Sequence, residues 1–202
     1  MAWVRSSNEE SHDRRGAHRD CPRVGSGRCR ALDVVVYDEK YQTDEAAELR
    51  QIRKNPRSRV VAHYQGDVVG YIEFIPLTPA GFELFLNTRD SVFDLHITEH
   101  LVSPWRRDVA VDVYIASMVV RPDVQSKGIS MVLLQGFYQA LAALQAEGHR
   151  LGRIGATGVS VPGRRFVETM MGLPLAHAVP GGVAGVGMAD DVVRYLADYL
   201  DW

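Results

Sequence analysis

Val120–Leu134 reads VRPDVQSKGISMVLL. Val120 closes an apolar, β-branched run that begins at Val111, and Met131–Leu134 open a run of helical character. Between them Gln125, Ser126, Lys127, Gly128, Ile129 and Ser130 put small and polar residues at the mouth of the helix. Such a strand-to-helix turn leaves backbone N–H groups free and aims the positive helix end at one point. That is an anion site, suited to a pyrophosphate. Gly128 permits close backbone approach and an unusual φ, while Lys127 and Gln125 add charge and hydrogen bonds. Neither a G-x-x-x-x-G-K-S/T loop nor a G-x-G-x-x-G turn is present, so spacing alone leaves the phosphate unnamed.

Working outward, Val111–Val120 is a strand buried on both faces or nearly so, and Ile129–Glu147 a long helix stopped by Gly148. Arg150–Val159 is a second buried strand. Upstream, two β-rich runs flank Gln65-Gly66-Asp67 and predict a hairpin over 59–77. Residues 43–56 have a Thr/Asp cap, acidic residues first, basic residues last and a terminal proline, which predicts a helix. ALDVVVYDE, 31–39, reads as a strand. Residues 162–175 contain a short helix. Val192, Val193, Leu196 and Leu200 recur at helical spacing near the C-terminus, and the Gly-rich stretch before them reads as a flexible crossing. A strand, a crossover helix and a second strand imply a parallel pair inside a mixed sheet.

At 202 residues the chain is expected to form one domain over 33–202, with an insertion at about 78–110 and a disordered or loosely ordered tail over 1–32. The tail is too charged for a signal peptide, and no apolar run approaches the roughly 20 residues of a membrane span, so a cytoplasmic protein without a membrane partner is expected. With 23 basic and 25 acidic residues the formal charge is −2, which argues against a nucleic-acid partner. His12, His18, Cys21 and Cys29 lack the paired-ligand spacing of structural zinc modules, and His96 and His100 lack further ligands, so no metal is expected.

The stretch Gln125–Ser130 resembles the pyrophosphate loop Q/R-x-x-G-x-G/A of the GNAT superfamily of acetyl-CoA-dependent N-acetyltransferases. MVVRPDVQ before it and MVLLQGFYQAL after it also look like that family's strand and helix. Ser130 stands where Gly or Ala is usual. The resemblance implies an α/β (α+β) fold: a mixed, mostly antiparallel twisted sheet with a central parallel pair, flanked by helices. It further implies direct transfer of an acetyl group from acetyl-CoA to a primary amine of a small molecule or peptide. Pantetheine would lie between the two parallel strands, with Met118, Val119 and Val120 beside it and the Met118 N–H polarising the thioester carbonyl.

An ammonium acceptor must lose a proton before attack. Tyr114 falls where some family members carry a catalytic Glu. Strand alternation would put Asp112, Tyr114, Ala116, Met118 and Val120 on one face. Asp112 is one candidate base, and Glu73, inside the apolar YIEF, is the other. Residues 162–175 contain no Tyr to serve as acid for the thiolate; Glu168, Ser160 or water remain. Phe82, Phe85, Phe93 and Trp105 either shape an acceptor site or simply pack the insertion. Two further readings stay open: a catalytically silent acyl-CoA-binding module, and transfer of a longer acyl chain. The sequence also leaves open a homodimer through the last helix.

Overall fold

Residues 3–6, 22–37, 44–90 and 93–201 are described by the structure, a computed structural model. They form β1 (Trp3–Ser6), α1 (Pro22–Val36), α2 (Glu45–Lys54), β2 (Arg59–Tyr64), β3 (Asp67–Leu77), α3 (Pro79–Asn87), β4 (Ala110–Val120), α4 (Ile129–Ala146), β5 (Arg150–Gly158), α5 (Val161–Arg165), β6 (Leu175–Val179), β7 (Gly182–Met188) and α6 (Ala189–Leu200). The seven strands make one sheet in the order β1-β2-β3-β4-β5-β7-β6. Every pair is antiparallel except β4–β5, the pair that α4 bridges.

The β2–β3 hairpin turns on Gln65 (φ 53°) and Gly66 (φ 90°), both in the left-handed region that a tight two-residue turn demands. α2 starts where Asp44 accepts a hydrogen bond from the Ala47 N–H at 2.9 Å, as its cap predicts. α4 lays Ile129, Leu133, Leu134, Phe137, Leu141 and Leu144 on one face of the sheet. There Phe137 meets Phe74 edge-on at 5.0 Å. Contrary to the sequence expectation, this helix has membrane-span length and composition, 18 residues at mean hydropathy 1.3; its apolar stripe is spent on the core.

Two expectations change. Ala31–Val36 is helix, not strand. Its β-branched run is overridden because Cys29, Leu32 and Val36 fall at helical spacing and pack on Val68, Tyr71 and Val119 across the other face of the sheet. This helix runs across the segment assigned to the tail; residues 7–21, including His12, His18 and Cys21, lie outside the described residues, and Cys29 is buried. The Gly-rich crossing is the β6–β7 hairpin. Its glycines permit close packing: a Cβ on Gly185 would sit 2.6 Å from Val167 Cγ1. In the insertion the aromatics take the packing role, one of the two that the sequence left open. α3, capped by Thr78, and two 3₁₀ turns (Phe93–His96 and Glu99–Leu101) fold onto the sheet. Phe82, Phe85 and Phe93 are fully buried there, and Trp105 packs against Phe74. His96 and His100 fall in separate turns.

Candidate functional site

β4 and β5 begin as a parallel pair, Ala110 opposite Arg150, and stay paired as far as Ile115 opposite Ala156. Beyond that point each keeps only its outer neighbour. β4 runs on along β3 to Val120, and β5 runs on along β7 to Gly158. The cause is a bulge. On β4, Ser117 lies opposite Glu73 and Ile115 opposite Phe74, which leaves Ala116 as an extra residue. A bulge bends its strand and sharpens the twist, and here it turns β4 away from β5. Ala116, Ser117 and Met118 are consequently half-buried in mid-sheet, where a continuous ladder would bury them.

Main-chain direction follows from one bond. The Arg121 N–H donates to the Val69 carbonyl at 2.8 Å. By antiparallel alternation Val119 and Ser117 also bond toward β3, so the amide groups of Met118 and Val120 face the gap. The Val120 carbonyl accepts from Gln125 Nε2 at 3.4 Å. Val119 therefore does not line the gap as the sequence expectation had it; its side chain is buried beside α1.

The gap leads to the anion site. Pro122–Lys127 form a 3₁₀ turn, and Gly128, at φ 73° and ψ 12°, opens α4 in the left-handed region with no side chain capping that end. Gln125, Ser126, Lys127 and Gly128 are exposed and Ser130 half-buried; Ile129 is buried, so only its backbone can reach a ligand. Lys127 Nζ rests 4.7 Å from the Tyr64 ring centroid. A Cβ added to Gly128 meets nothing within 4 Å, which leaves approach to this helix end open. Amides in the gap, an uncapped helix end and a neighbouring Lys suit a ligand with an extended amide-bearing arm and a terminal phosphate.

The bulge also decides which side chains meet. It reverses the alternation, so Val113, Ile115, Met118 and Val120 share the α4 face, while Tyr114, Ser117 and Val119 share the other. Asp112 and Tyr114 are not brought to the gap. Asp112 lies five residues before Ser117, roughly 16 Å along the strand at 3.3 Å per residue. Its Oδ1 accepts from the Arg153 N–H at 2.7 Å, and Oδ2 from the guanidinium at 2.7 Å. Tyr114 is buried between Phe85 (5.0 Å) and Phe93 (4.9 Å) in the still-paired part of β4.

Glu73 does reach the level of the gap, opposite Ser117. Its carboxylate is buried and accepts from Arg59 at 2.9 Å; the same guanidinium donates to Glu48 at 2.8 Å. Burial raises the Glu73 pKa, Arg59 pulls it back, and Glu48 raises it again. Next to this cluster lies a polar chain that the sequence reading missed. Tyr71 donates to Asp33 Oδ1. Ser117 Oγ lies 3.5 Å from the Tyr71 hydroxyl and 3.0 Å from that of Tyr37. The signals were faint: Asp33 and Tyr37 at i, i+4 once 31–36 is helix, and Tyr71 beside Glu73 at i, i+2 on one strand face.

No family model matches the sequence, and no curated protein matches it. Solved structures do. Ard1 from Thermoplasma volcanium matches with a TM-score of 0.54 at 14% identity, over 93% of this chain and 97% of that one. The GphF GNAT-like decarboxylase in complex with isobutyryl-CoA gives 0.52 at 16% identity, over 81% of this chain and 94% of that one. The loading GNATL domain of CurA from Lyngbya majuscula gives 0.50 at 17% identity, over 79% of this chain; the chain spans 65% of that one's length. Identities this low bear on the fold.

Proposed function

We propose, from the premise that this chain has the GNAT fold, that it is a CoA-dependent acyltransferase moving an acetyl group from acetyl-CoA to a primary amine of a small molecule or peptide. The observation that carries the proposal is the gap opened by the Ala116 bulge, leading directly to the uncapped, glycine-opened end of α4. Backbone N–H groups around Gly128, with Lys127 and Gln125, hold the pyrophosphate. The Met118 and Val120 amide groups pair with the pantetheine amides, and the Met118 N–H faces the carbonyl oxygen as negative charge develops on it. The donor supplies an acyl group already activated as a thioester. The rings of Phe85, Phe93 and Tyr114 pack at 4.9–5.2 Å centroid spacing on the sheet face where β4 is still paired with β5, and this filled face favours a short acyl group.

A second reading has its own support. Asp112 is tied to Arg153 and Glu73 to Arg59, so neither carboxylate named from the sequence is a free base, as suits a silent acyl-CoA-binding module. Isothermal titration with acetyl-CoA, CoA and a long-chain acyl-CoA tests both readings. Micromolar binding of acetyl-CoA by the wild type is expected. Gly128→Ala and Gly128→Glu carry the same left-handed strain, about 1–2 kcal/mol. The glutamate, which adds a charge where the pyrophosphate sits, is expected to weaken binding at least tenfold more than the alanine. Binding without turnover of any amine favours the module. No binding of any of the three ligands overturns the proposal.

A further inference from the structure

Because α4 covers one face of the sheet, a donor anchored at Gly128 and threaded through the gap delivers its acyl carbon to the opposite face, where α1 lies. Ser117 is the first side chain beyond the bulge on that face and it carries a hydroxyl. Its Oγ sits 3.0 Å from the Tyr37 hydroxyl and 3.5 Å from that of Tyr71, and Tyr71 donates to Asp33. These contacts join the reacting edge of β4 to a carboxylate on α1. We infer that Ser117, Tyr71 and Asp33 form the proton relay that deprotonates the acceptor ammonium, with Asp33 as the terminal base. The inference rests on the acyltransferase reading.

The step balances. The ammonium gives one proton to Ser117 Oγ, the Ser117 hydroxyl proton moves to the Tyr71 oxygen, and the Tyr71 proton moves to the Asp33 carboxylate. The freed nitrogen lone pair attacks the thioester carbonyl. A C–N bond forms, and the C–S bond breaks with its electron pair on sulfur. The nitrogen's second proton ends on the thiolate.

The surroundings suit a base. Burial pushes Asp33 up to about 6, against the hydrogen bond from Tyr71, which lowers it; Glu48 raises it, Arg59 lowers it and Glu73 raises it. Facing groups come from every packed element: Cys29 and Arg30 on α1, Tyr37 just past its end, Glu48 on α2, Arg59 on β2, Tyr71 and Glu73 on β3, and Ser117 on β4. Arg59 stacks 4.8 Å from the Tyr71 ring centroid while bonded to Glu73, so these two are positioning residues that aim the Tyr71 hydroxyl.

The test follows CoA release from acetyl-CoA at pH 5–10, with phenethylamine, spermidine and a tetrapeptide amide bearing a free α-amino group as acceptors. Wild type is compared with Asp33→Asn, Tyr71→Phe, Ser117→Ala and Glu73→Gln, with acetyl-CoA affinity measured alongside. Wild-type kcat/KM is expected to fall below an inflection near pH 6. In Asp33→Asn and Tyr71→Phe that inflection disappears and kcat at pH 7 drops about 100-fold. Rate then climbs about tenfold per pH unit as free amine appears, with acetyl-CoA affinity unchanged. An equal loss at every pH with the inflection kept, its removal by Glu73→Gln alone, or no turnover of any amine by a protein that binds acetyl-CoA overturns the relay. Failure of the wild type to bind acetyl-CoA overturns the underlying transferase reading instead.

Discussion

Arg59→Met tests what the charged cluster beneath α1 does for the fold. Arg59 is 6% exposed, and its guanidinium is shared by Glu48 at 7% and Glu73 at 9%. Removing one partner of a buried ion cluster leaves uncompensated charge, which costs about 3–5 kcal/mol even when the new side chain fills the space. For a chain of this size that corresponds to a drop of about 6–20 °C in Tm, at 2–4 °C per kcal/mol. The pH dependence identifies the cause. Burial already raises the Glu73 pKa and Arg59 opposes that rise, so without Arg59 the folded-state pKa climbs further. A raised pKa contributes stability that is present below the unfolded value and lost as pH rises through the folded value. The variant's deficit should therefore shrink on acidification, by up to about 1.4 kcal/mol per pH unit for one proton. Urea unfolding at pH 5.0, 6.0 and 7.5 measures it. A loss below about 1 kcal/mol, or a deficit that grows toward pH 5, would refute the argument.

Two more expectations rest on Asp33 and on Gly155. Asp33, pushed up from 3.8 to about 6 mainly by burial, contributes stability that is complete below about pH 4 and lost as pH rises through 6. Asp33→Asn removes that dependence, so the variant should gain on the wild type between pH 4 and 7 by at most about 3 kcal/mol, nearer 1–2 once the partial exposure of this carboxylate is counted; thermal melts across that range check it. In Gly155→Ala the new Cβ would lie 2.4 Å from Phe85 Cε1, and that ring is held by Phe82, Phe93 and Tyr114. Overpacking of this kind costs about 1–3 kcal/mol, read as a lower urea midpoint with an unchanged slope.

What could be read beforehand follows from how local each signal is. The turn at Gln65-Gly66, the cap at Asp44, the α4 stripe and the loop around Gly128 are each written within a few neighbouring residues, and all four form as expected. The α1 helix is not written that way. Val34, Val35 and Val36 favour a strand by propensity, yet Val34 and Val35 are 61% and 63% exposed while Cys29 and Leu32 are buried. The packing of α1 on Tyr71 and Val119 decides the outcome, and those partners stand some 40 and 90 positions along the chain. The relay assembled from α1, β3 and β4 was invisible for the same reason.

The β4 bulge joins these two halves. Side chains on a strand alternate with period two, so one inserted residue exchanges every later position between faces. Strict alternation through Ala116 groups Asp112 and Tyr114 with Met118, and so points to Asp112 as a base beside the gap. The inserted residue moves Ser117 onto the Tyr114 face and turns Met118 toward α4. The insertion that releases β4 from β5 thus also selects which side chains stand at the edge of the gap. Ala116 lacks any side-chain signature of a bulge; its place as the extra residue is set by the register of β4 against β3. A deletion that restored the register would close the gap and at the same time bring a different set of side chains to its edge.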